Sequence, residues 1–103
     1  MTKLRYLKIS EVQQQLHVDA EFLQLLEAEE LIHLKHSSEG DVVISSEDVE
    51  RVRVARILTG ELDVNLAGVE GIMHMRDSAL AMQEQFSVIL DALVDELRRH
   101  LQR

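Results

Sequence analysis

Two short helix signatures with only His17-Val18-Asp19 between them constrain this chain more than any other feature. Ser10 is placed to cap a helix over about 11–16, and Gln13 three residues later completes the capping-box spacing. Asp19 is placed to cap a second helix running to about Glu30. Helices joined by so short a turn make a helix-turn-helix, with Ile9, Val12, Leu16 and Val18 facing the same core as Phe22, Leu23 and Leu26. At 100° per residue, Phe22, Leu23, Leu25 and Leu26 fall on the buried side of the second helix. Glu21, Gln24, Glu27 and Ala28 share its exposed side.

The flanking segments complete a small fold. Tyr6-Leu7-Lys8-Ile9 alternates at period two and suits a short strand. Leu31-Ile32-His33-Leu34 and Asp41-Val42-Val43-Ile44 are expected to pair as a β-hairpin wing around the turn-rich 36–40, where Gly40 supplies a positive φ. Ser45 or Ser46 is expected to cap a third helix over about 47–58, stopped by Thr59-Gly60. Its arginines sit at ion-pair spacings, Glu47 to Arg51 and Glu50 to Arg53. Asn65 caps a fourth helix in which Gly68 and Gly71 suggest close packing against a neighbour.

From Ser78 to Leu101, the apolar residues Met82, Phe86, Ile89, Leu93 and Leu97 recur at spacings of four, three, four and four. An unbroken helix there is roughly 36 Å long. Such a stripe seeks a second copy of the chain, so a homodimer is expected through these five residues, as a parallel or antiparallel coiled coil. The expected division is a helix-turn-helix domain over 1–75 and a dimerisation helix over 76–103.

Composition narrows the function. Aromatics are only 3% of the 103 residues, so the core must be aliphatic. The chain has no cysteine, which removes disulfides, thiolate metal sites and cysteine nucleophiles. The first twelve residues carry no long apolar run, so neither signal peptide nor membrane span is expected and the chain reads as cytoplasmic. His33 and His36 lack a third ligand, and no Ser/His/Asp order or Gly-rich phosphate loop accompanies the serines. No enzyme activity, metal or cofactor is expected. Met73, Met75 and Met82 at helical spacing suit core or interface filling better than a ligand pocket, and Lys3, Arg5 and Lys8 are too few for a nucleic-acid site.

Charge is distributed unevenly. Asp19 to Glu50 contains ten acids and one base, Lys35, for a net −9 against −8 for the whole chain. A helix-turn-helix that grips duplex DNA needs Lys and Arg to release counterions, whereas a carboxylate close to a phosphate repels it by about 1 kcal/mol even in water. The sign favours a basic protein partner.

From Lys8 to about Met75 the order of elements resembles the MerR superfamily, carried by Ile9-Ser10-Glu11-Val12, Leu31-Ile32, Gly40, Asp48-Val49-Glu50-Arg51-Val52 and Asn65-Leu66-Ala67-Gly68-Val69. The resemblance implies a mainly α winged helix-turn-helix with a small β-hairpin wing and a long C-terminal helix. DNA-binding members usually carry an arginine where Gln24 stands, aromatics where Leu25 and Leu26 stand, and commonly arginines and an aromatic in the wing, where this chain has His36, Val42 and Ile44. In those departures the chain looks like the CbpM chaperone modulators, which implies as partner the J-domain of a DnaJ- or CbpA-like co-chaperone whose basic surface otherwise engages the Hsp70 chaperone DnaK. The binding residues so implied are Glu21, Glu27, Glu29, Glu30 and Asp41 for charge and Gln24 and Ala28 for close approach, with Leu34 and Ile44 as apolar support. The alternatives are a MerR-like transcriptional regulator reading DNA as a dimer, related to the heat-shock repressor branch that the Asn65-Leu66-Ala67-Gly68-Val69 run resembles, and an adaptor whose acidic face meets some other basic protein.

Overall fold

A computed structural model of the chain describes residues 5–102. Strand β1 (Tyr6–Lys8) runs directly into helix α1 (Ile9–Leu16), which a left-handed His17 joins to α2 (Ala20–Ala28). Strands β2 (Leu34–His36) and β3 (Val42–Ser45) form the wing, and α3 (Ser46–Gly60) and α4 (Leu66–Leu101) follow. The protein is thus a mainly helical winged helix-turn-helix with a long C-terminal helix. The strand over Tyr6 to Lys8 joins the wing, giving an antiparallel sheet in the order β1-β3-β2. Its register sets Leu7 and Leu34 on either side of Ile44, and Lys8 and Lys35 on either side of Val43. Because partners across a sheet share a face, Leu7, Ile44 and Leu34 lie on one side and Tyr6, Lys8, Val43 and Lys35 on the other.

The apolar side meets the helices. Val12 of α1, Leu23 and Leu26 of α2, Ile44 of β3, and Val52 and Ala55 of α3 are buried. Val69 near the start of α4 is buried as well. Three expected caps are formed: Asp19 Oδ1 accepts from the Phe22 N–H at 2.8 Å, Ser45 Oγ from the Asp48 N–H at 3.1 Å and Asn65 Oδ1 from the Gly68 N–H at 2.8 Å. Glu50 and Arg53 form the expected ion pair. Arg51 donates its Nε–H to the Leu31 carbonyl at 2.6 Å.

Several boundaries differ from expectation. Ser10 does not cap α1; Lys8 is the N-cap, without a side-chain bond, because pairing with β3 holds it extended until Ile9 turns into the helix. Helix α2 stops at Ala28, with Glu30 in the left-handed region at φ 59°. There the Leu31 N–H bonds the Leu26 carbonyl and the Glu30 N–H the Glu27 carbonyl, both at 2.9 Å, which is a Schellman motif. That turn carries Leu31 and Ile32 into the core instead of into a strand, so β2 begins only at Leu34. Leu25, expected inside, is 46% exposed. A Cβ on Gly68 would come within 2.7 Å of Val64 Cγ1, as close packing requires, whereas Gly71 has open space around it.

The fourth helix and the C-terminal amphipathic segment are one continuous helix of 36 residues, about 54 Å long. Compactness divides the chain into two units between Gly71 and Ile72, inside α4. In the second unit Met73 is buried, while Met75, Met82, Phe86, Ile89, Leu93 and Leu97 are all more than half exposed. No described helix is long and apolar enough to cross a membrane.

Candidate functional site

Helix α2 presents its outward side as expected: Glu21, Gln24, Glu27 and Ala28 are all exposed. The turn at His17 and the Asp19 cap fix where this helix starts, and burial of Leu23 and Leu26 fixes its rotation. A cleft of about 270 Å³ opens beside it, between α1, α2 and the hairpin. Ile9, Leu23, Leu34 and Val42 supply apolar lining, and Gln13, Gln24, Glu27 and His36 the polar groups. The cleft has a greasy floor and one carboxylate.

Two backbone groups of the loop between α2 and β2 and the first N–H of β2 are tied down by side chains. Glu27 Oε2 accepts from the Leu34 N–H at 3.0 Å, Asp48 Oδ2 accepts from the His33 N–H at 2.8 Å, and Arg51 holds the Leu31 carbonyl. Two members of the acidic stretch therefore also position the wing against the helices. Sequence reasoning missed these hooks.

The seven candidate residues do not form one patch. Glu21, Gln24, Glu27 and Ala28 lie together on α2, with Gln24 and Glu27 at the cleft. Glu29, the C-cap of α2, hydrogen-bonds Glu70 at the start of α4; that contact first, then burial and like charge, raises the Glu70 carboxyl above its ordinary 4.5. Glu30 occupies the left-handed turn. Asp41 pairs with Lys8 at 3.6 Å and lines a separate hollow on the far side of the sheet with Tyr6 and Lys35. Ile44 is fully buried and cannot support a partner, which corrects its expected role; Leu34 and Val42 provide the apolar wing surface at the cleft.

The one base of the acidic stretch points away from this face. Lys35 shares the outer side of the sheet with Tyr6, its Nζ donating to the phenol oxygen at 3.2 Å and lying 5.4 Å from the ring centroid. Neither α2 nor the cleft-facing side of the wing carries a lysine or arginine. Lys3 of the expected N-terminal basic cluster lies outside the described residues.

The profile of the MerR HTH family of regulatory proteins matches residues 7–90, from β1 well into α4. The chain belongs to the MerR helix-turn-helix family. No curated protein matches it by sequence. As a MerR-family protein it keeps the scaffold of helix-turn-helix and wing, yet stands neutral Gln24 on the exposed side of α2 and lines the adjoining cleft with Glu27. The scaffold alone does not determine what such a chain binds; the side chains it carries do.

Proposed function

We propose that this MerR-family chain is a chaperone modulator. It binds the J-domain of a DnaJ- or CbpA-like co-chaperone through the α2 face and the adjoining cleft, and so blocks the co-chaperone from an Hsp70 such as DnaK. The observation that carries the reading is the sign of that face: Glu21 and Glu27 flank Gln24 and Ala28, and Lys35 is turned to the opposite side of the sheet. A basic helix lies along such a face with its cations beside the carboxylates and its aliphatic stems over Leu34 and Val42. Gln24 and Ala28 leave room for close approach. Glu29, Glu30 and Asp41 add to the negative field that steers a basic partner inward without belonging to the same patch.

The functional test is Hsp70 ATPase activity stimulated by a J-domain co-chaperone, titrated with this protein. The stimulated rate falls to the basal rate as the protein saturates the co-chaperone, and basal turnover is unaffected. An undiminished stimulated rate at saturating protein contradicts the modulator reading.

A further inference from the structure

The Glu27 carboxylate is held in place without being used up. Its Oε2 accepts the Leu34 N–H, while Oε1 makes no hydrogen bond or ion pair with the other described residues. An oxygen anchored in this way loses little freedom when a donor arrives. Gln13 of α1 and Gln24 of α2 line the same cleft, and their side-chain amides are likewise unengaged among the described residues. Each offers a carbonyl oxygen as acceptor. Three acceptors from two helices thus border the apolar lining of Ile9, Leu23, Leu34 and Val42, and no lysine or arginine lines the cleft.

That combination fits a flexible aliphatic chain ending in a cation that only donates. At about 270 Å³ the cleft falls just below the usual range of small-molecule sites, which begins at about 300 Å³. It has room for a side chain and not for a helix. Lysine supplies a four-carbon stem for the apolar lining and three rotatable donors for Glu27 Oε1 and the two amide carbonyls. Arginine matches it less well. Its rigid fork is strongest when it takes both oxygens of a carboxylate, and one of the two here already holds the Leu34 N–H.

We propose that the cleft is a socket for one lysine side chain of the basic partner, preferred over arginine. The socket presupposes that a basic protein docks on the α2 face, and adds the residue type that anchors it. Electrostatic steering accepts any cation, whereas a shaped, partly apolar socket makes one lysine count for more than its neighbours. It also gives the contact a chemical switch. Acetylation of that lysine at Nε removes the charge and two of the three donors, and so releases the partner.

The test titrates the full isotope-labelled chain with Nα-acetyl-lysine methylamide and with the matched arginine, norleucine and Nε-acetyl-lysine amides, followed by backbone amide shifts. The socket expects shifts centred on Gln13, Gln24, Leu34 and Val42 with a Kd of about a few millimolar for the lysine amide, and binding about tenfold weaker or less for the other three. Glu27→Gln keeps an oxygen for the Leu34 N–H and removes the charge, so it is expected to erase the preference for lysine. If Glu27→Gln alters the spectrum of the free protein, Gln13→Leu decides in its place: several-fold weaker binding of the lysine amide supports the socket, and unchanged affinity overturns it. A lysine amide that shifts no cleft residue, or that binds no better than the arginine or norleucine amide, overturns the socket even where a J-domain binds the α2 face. Lysine binding in the cleft by a protein that takes up no J-domain leaves the socket standing and removes the J-domain as the source of the lysine.

Discussion

The carboxylate of Glu27 accepts the backbone N–H of Leu34 at 3.0 Å, so one acid of the exposed α2 face also holds the root of the wing. Glu27→Ala removes that acceptor and is expected to lower stability by about 1 kcal/mol, or roughly 4–8 °C in Tm for a domain of this size. Glu27→Gln keeps a side-chain oxygen for the bond and loses far less. Thermal denaturation of the two variants measures the difference, and equal midpoints would show that the hook does nothing for the fold.

Glu30 sits at φ 59°, where an L side chain costs about 1–2 kcal/mol and glycine costs nothing sterically. Glu30→Gly is therefore expected to stabilise the protein by about 0.5–1 kcal/mol after the entropy that glycine adds to the unfolded chain is subtracted. The rise in denaturation midpoint should be present at high salt as well as low. A rise that disappears in salt would trace to relief of acidic repulsion instead of to backbone conformation.

The Glu29–Glu70 contact gives stability a definite pH dependence. The folded protein holds a proton on Glu70 above the ordinary carboxyl value of 4.5, because Glu29 hydrogen-bonds the protonated group and repels the ionised one. More protons are bound folded than unfolded, so this contribution is fully present below 4.5 and is lost as pH rises through the raised value. Glu70→Gln should accordingly melt higher than the unaltered protein at pH 7, with the gap closing on acidification below 4.5. A gap that widens on acidification contradicts the sign.

How much of this was legible beforehand follows the range of the interactions. Asp19, Ser45 and Asn65 were readable as caps because each bonds an N–H three residues away. Ser10 misled because the start of α1 is fixed by a partner 35 or more residues away: the pairing of β1 with β3 makes Lys8 the last extended residue. Leu31 and Ile32 have strand-like side chains, yet the Schellman turn commits them to the core. The α2 face was legible from helical period alone. The hooks from Glu27 and Asp48 were not, since a carboxylate that will meet a loop N–H has the same sequence signature as one facing water.

Duplex DNA binding should be negligible at low ionic strength. Without a lysine or arginine on α2 or at the cleft, few counterions would be released on contact, and Glu21 and Glu27 would repel phosphate. Fluorescence anisotropy with generic duplexes and with duplexes from the gene's own promoter, at about 50 mM salt, is the check. Micromolar binding that falls steeply with salt would favour a regulator reading DNA.

Calorimetric titration of a recombinant J-domain into the protein tests the central claim most directly, with Glu21→Lys and Gln24→Arg as variants and thermal melts to confirm that both fold. The Glu21 side chain is exposed in the first turn of α2 and makes no hydrogen bond or ion pair with the other described residues, so its reversal probes the face without disturbing the wing. The account predicts saturable binding to the unaltered protein. It predicts at least tenfold weaker binding to each variant, about 1.4 kcal/mol, with the loss shrinking as salt is raised. Absence of binding to the unaltered protein would contradict the assignment, and variants that bind as tightly as the unaltered protein would contradict the acidic α2 face as its site.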